Sequence, residues 1–107
     1  MEIADITELN KITNYDQTFA NQMIQIFVDE CDENIVNFNR YLSEENYPAI
    51  SDLAHKLKPS LGYMAKPFMK EKALVLELQE CSKEELHEIL VEFLSNYQKM
   101  VRELKSI

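Results

Sequence analysis

The chain has 107 residues, 46% of them hydrophobic, which is enough for one folded domain with a real core and too little for a second. One Gly and three Pro are too few turn-formers for a β-sandwich or barrel, so the composition favours long helices joined by short loops. The net charge of −8, from 19 acidic and 11 basic residues, argues against a nucleic acid or an anionic membrane as the main partner.

The opening MEIADITELN has neither the basic n-region nor the apolar h-region of a secretory leader, and a short helix is expected near residues 5 to 12. A long helix follows from about Asp16, its N-cap, to about Ser43, with Phe19, Met23, Ile26, Phe27, Phe38 and Tyr41 on its apolar side. SEENYP breaks that pattern, and Pro48 suits the first turn of the next helix, which runs to about Ala65. Pro67 starts another, through about Cys81. Its Phe68, Leu74, Val75, Leu76 and Leu78 lie nearly all round it, so it is expected deep in the bundle. Ser82 caps the last helix, with Glu85 three residues later completing a capping box. Leu86, Ile89, Leu90, Phe93, Leu94, Tyr97, Val101 and Leu104 form its stripe.

The expected architecture is therefore all-α: an antiparallel four-helix bundle with a short extra N-terminal helix, residues 1–107 forming a single domain. No apolar run approaches the roughly 18 to 20 residues of a membrane span. Cys31 and Cys81 lie in apolar helical stretches with no CxxC or Cys-His spacing, and read as reduced, buried thiols. A soluble, cytoplasmic, monomeric protein is expected.

The informative stretch is AISDLAHKLKPSLGYM, residues 49 to 64. Ile50, Leu53, Leu57, Leu61 and Met64 make one stripe, which must face the core. At about 100° per residue, His55 stands roughly 140° round from Ile50 and points to solvent. Its neighbours on that side are Ser51, Asp52, Lys58, Pro59 and Gly62, three of them small or compact. Gly62 costs about 1 kcal/mol relative to Ala in a helix interior, and Pro59 more, since it removes the bond to the His55 carbonyl. A neutral imidazole in water is a competent nucleophile, and a phosphoryl group added to it is met by Lys58, one turn on. No Walker A loop or G-x-G-x-x-G is present, so the group must be delivered and accepted by other proteins rather than taken from ATP.

At these residues the sequence resembles the histidine-containing phosphotransfer (HPt) family, whose signature reads roughly A-H-x-L-K-G-S: Ala54, His55, Leu57, Lys58 and Ser60 match in AHKLKPS. FANQMIQIFVDECDENI looks like the family's long helix before the site. The resemblance implies a phosphorelay intermediate, a stoichiometric phosphocarrier rather than an enzyme. The group would shuttle between His55, at Nε2, and aspartates of response-regulator receiver domains, with a sensor or hybrid histidine kinase upstream. It implies no cofactor on this chain, the Mg²⁺ and catalytic carboxylates belonging to the receiver. Pro59 departs from the family glycine that lets the receiver approach, and Gly62 is a candidate for restoring that clearance. Ser51, Pro59, Gly62 and Val28 are the candidate partner-docking residues, Val28 because it sits off its helix's main apolar side.

Blander readings stand beside this one. His55 can be a surface histidine and Lys58 a solvated lysine; Ser60 falls nearer the core, and His87 matches no motif. Asp52 with His55 and Glu84 with His87 give acid-x-x-His spacing on two helices, as in di-metal bundles, but both histidines leave their apolar stripes and the other helices offer no clear inward glutamate, Glu30 being the nearest candidate. A third reading is a non-catalytic bundle that binds a signalling partner without chemistry.

Overall fold

A computed structural model describes residues 1–107 as five helices: α1 (Thr7–Ile12), α2 (Gln17–Ser43), α3 (Tyr47–Met64), α4 (Pro67–Leu78) and α5 (Lys83–Lys105). In the bundle α2 packs on α3 and α5, and α4 on the same two, while α1 lies mainly across α3. The all-α expectation holds, with the extra helix shorter than expected.

Local chemistry sets most helix ends. The Asp16 carboxylate accepts from Phe19 N–H at 3.1 Å, and Asn46 accepts from Ala49 N–H at 3.2 Å, each satisfying an amide left free by the first turn. Ser82 Oγ accepts from Glu85 N–H at 3.1 Å, the forward half of the expected capping box; the return bond from Ser82 N–H is not made. Pro59 stays inside α3, which runs unbroken past it. At the end of α4, Gln79 takes a left-handed conformation, φ 54°, and stops the helix at Leu78 rather than at Cys81. The Gln79 side chain then donates to the Tyr47 carbonyl at 2.8 Å, tying the last turn of α4 to the first of α3.

Side-chain burial corrects two expectations. On α2 the buried residues are Ala20, Ile24, Phe27, Cys31 and Phe38, whereas Phe19 and Ile26 are exposed. The buried face is the side of α2 that meets α3 and α5, and Phe19 and Ile26 fall outside it. On α4 only Met69, Ala73 and Leu76 are buried, and Leu74 and Leu78 face solvent, so this helix forms one wall of the bundle instead of its centre. Cys81 is half-buried. The α5 stripe is as expected, with Met100 added to it and Ile89 half-buried. Phe27, Tyr97, Phe93 and Phe38 form a chain of tilted and edge-on rings between α2 and α5, with centroids 5.6 to 6.1 Å apart. Tyr97 is fully buried, its hydroxyl accepting from Asn34 Nδ2 at 3.1 Å, and burial pushes its phenol well above the ordinary range.

The segment before α1 closes one end of the bundle. Ile3 and Ala4 are buried, Lys66 N–H donates to the Ile3 carbonyl at 2.8 Å, and Asp5 N–H donates to the Met64 carbonyl at 2.9 Å. From α5 the Glu103 carboxylate accepts three backbone N–H groups, those of Glu2, Ile3 and Ala4, at 3.1, 2.9 and 2.7 Å.

Candidate functional site

The stripe of α3 behaves as its spacing requires: Ile50, Leu57, Leu61 and Met64 are buried with Ala54, and Leu53 is half-buried. With that face inward, His55 is carried onto the outer side of α3 next to α4, its side chain 66% exposed. The imidazole is nonetheless held. Its Nδ1 lies 2.7 Å from Oε2 of Glu77, 22 residues on and in the last turn of α4. The other carboxylate oxygen, Oε1, is shielded from water and pairs with Lys58 Nζ at 2.5 Å. One carboxylate therefore joins the two residues the motif singled out.

Glu77 is itself placed by α3. Its backbone carbonyl accepts from Ser51 Oγ at 2.7 Å, and its side chain is about one-fifth exposed. The ion pair with Lys58, with the His55 contact adding to it, more than offsets partial burial and holds the Glu77 carboxyl below its ordinary value. An ionised carboxylate can only accept, so Nδ1 carries the proton and donates to Glu77. In the neutral ring Nε2 is then the nitrogen with the lone pair, on the exposed side chain, with Lys58 one turn along the helix.

Of the other docking candidates, Pro59 and Gly62 line an open groove of about 420 Å³ together with His55 and Lys58. Ser51 is half-buried and occupied in the bond to α4, so it braces the site instead of offering itself to a partner. The clearance at Gly62 is not open: a Cβ built there meets Lys70 Cδ at 3.5 Å and Nζ at 3.6 Å, so the Lys70 side chain lies across it. Val28 does not belong with His55. It lines a different groove, between α2 and the end of α5, with Leu104 and Ile107. Ser60 is half-buried on the α2 side of α3.

The di-metal arrangement is not assembled. Asp52, His55, Glu84 and His87 are all exposed, and no three His, Cys, Asp or Glu side chains come together in a metal-binding group. No helix is long and apolar enough to cross a membrane.

Sequence reasoning missed Glu77 and Lys70. The signal for Glu77 was a lone carboxylate inside the apolar run LVLEL, where an unpaired charge would be costly. Lys70 left no such signal, because a lysine on an exposed helix face is ordinary.

The fold and the site together define a class: a helical bundle presenting an exposed imidazole that is oriented by a carboxylate and flanked by a lysine. Comparison with family models agrees. The Hpt domain model matches residues 22–107, and the chain belongs to that family, whose role is phosphotransfer in two-component phosphorelays. Curated proteins and solved structures yield no match.

Proposed function

We propose that His55 is the residue that carries the phosphoryl group, exchanging it with an aspartate of a response-regulator receiver domain in a cytoplasmic relay fed by a sensor or hybrid histidine kinase. The observation that carries this reading is the Nδ1 contact with Glu77, because it keeps the Nδ1 proton in place and so makes Nε2, on an exposed side chain, the lone-pair nitrogen of the neutral ring.

In the transfer, the Nε2 lone pair attacks phosphorus, the N–P bond forms, and the acyl-phosphate P–O bond breaks to release the aspartate carboxylate. Mg²⁺ and the catalytic carboxylates come with the receiver. The ring takes on positive charge as the N–P bond forms, while Nδ1 keeps its proton and donates to Glu77, whose negative charge offsets the change. Lys58 Nζ stands one turn from His55, where it can move from Glu77 Oε1 toward the phosphoryl oxygens. Reversal of these steps returns the group to a receiver, so the chain is a stoichiometric carrier.

The test is to mix the purified protein with a phosphorylated receiver domain and Mg²⁺ and to look for an acid-labile, base-stable phosphate. Wild type is expected to label and His55→Ala to remain unlabelled while keeping its helical circular dichroism. Labelling of His55→Ala, or failure of the folded wild type with several receivers, would sink the assignment.

A further inference from the structure

The groove beside His55 contains a cation that the phosphocarrier reading does not use. Lys58 is engaged by Glu77 at 2.5 Å, and Glu8, the acidic residue of the groove, is paired with Lys11 at 3.2 Å. Lys70 lines the same groove, is exposed, and makes no ion pair. Its place in the groove is defined by Gly62. The stem crosses α3 at Gly62, with Cδ, Nζ and Cε at 3.5, 3.6 and 3.9 Å from the point a Cβ would occupy. A side chain longer than alanine at position 62 would displace it.

We infer that Lys70 is a specificity residue for the protein that exchanges phosphate with His55, contacting the acidic surface around that partner's active site and not the phosphoryl group itself. This rests on the phosphocarrier reading. Reach separates the two roles. Gly62 lies seven residues beyond His55, about 10.5 Å along the helix axis, and Lys70 Nζ sits at that level, whereas Lys58 is one turn away. A partner covering His55 would extend over this part of the groove. Charge supports the same assignment. The chain carries −8, so an acidic receiver is repelled at long range, and an unpaired ammonium in the His55 groove opposes that repulsion locally.

The experiment measures transfer kinetics from a phosphorylated receiver to the full chain at low and high salt, with the lifetime of the isolated phosphohistidine measured alongside. Lys70→Glu is expected to raise the half-saturating concentration of single-turnover transfer (its KM) about tenfold at low salt and to leave the limiting transfer rate within about twofold, with the difference shrinking at high salt. Lys70→Ala should fall between, Lys70→Arg should match wild type, and every variant should keep the wild-type phosphohistidine lifetime. Lys72→Glu, a charge reversal of the same size at an exposed position on α4, should change KM far less. The inference is overturned if Lys70→Glu leaves KM unchanged, if Lys72→Glu has an equal effect, or if loss of Lys70 shortens the phosphohistidine lifetime, which would place it on the phosphoryl group. Failure of wild type to label at His55 would defeat the underlying reading instead, so the two failures are distinguishable.

Discussion

Two glutamates at opposite places in this bundle do similar electrostatic work with different partners. Glu103 accepts three backbone N–H groups and holds the segment before α1 against α5. Glu77 holds an imidazole and an ammonium on the outer face of α3. Both carboxyls lie below their ordinary values: for Glu103 burial pushes upward, and the amides, Ala4 first, outweigh it; for Glu77 the Lys58 pair leads. The difference lies in what can leave. Backbone amides are fixed by the fold and do not titrate, so Glu103 can only stabilise. A histidine and a lysine can change charge, gain a substituent or swing to another anion, so the partners of Glu77 are free to take part in chemistry.

Breaking the Glu77 side should give the larger effect. Glu77→Ala releases both His55 and Lys58, and single-turnover transfer from a phosphorylated receiver is expected to slow by about a hundredfold. Glu77→Gln retains an amide oxygen for Nδ1–H but loses the charge, and should fall between. Transfer at the wild-type rate in Glu77→Ala would mean the imidazole needs no support.

Breaking the Glu103 side should act on stability alone. Glu103→Gln is expected to cost about 2 kcal/mol in urea denaturation, with transfer from the receiver unchanged. A large loss of transfer in a folded Glu103→Gln protein would erase the contrast between the two carboxylates. The pH dependence follows from the depressed carboxyls. A group whose folded value lies below its unfolded value contributes stability above the unfolded value, near 4.5 for Glu103, and loses it as pH falls through the folded value. Wild type should therefore lose stability steeply below about pH 4.5, and Glu103→Gln should follow a shallower curve. Parallel curves would show that Glu103 is not coupled to folding.

The smallest effect sharpens the comparison at Lys70. A Cβ at position 62 makes ordinary contact with Lys70 Cδ at 3.5 Å, so Gly62→Ala should raise stability by about 0.5–1 kcal/mol and leave transfer unaltered. A loss of stability would mean the notch is tighter than an alanine allows.

Legibility from sequence followed amphipathicity. The α5 stripe is read correctly because long apolar residues alternate cleanly with charges over more than six turns. On α2 the large side chains Phe19 and Ile26 mislead, because the inward face is decided by where α3 and α5 pack and not by side-chain size. On α4 nearly continuous apolarity conceals which face is inward, and Leu74 and Leu78 are left outside. At the site, His55 and Lys58 are legible because a single helix period settles their direction. Val28 was drawn toward them wrongly, since one helix's period says nothing about which groove of the bundle a second helix faces.

The amino-acid sequence alone determined the helices, the caps at Asp16 and Ser82, the inward stripe of α3 and the exposure of His55. These depend on bonds and side chains within a few residues of one another, so local rules suffice. Tertiary structure decided that Glu77 meets His55 and Lys58, that Ser51 braces Glu77, and that Lys70 crosses Gly62. These contacts depend on the antiparallel register of α3 against α4. That register is set by how the buried faces of α3 and α4 pack in one core, and no local pattern in either helix encodes it.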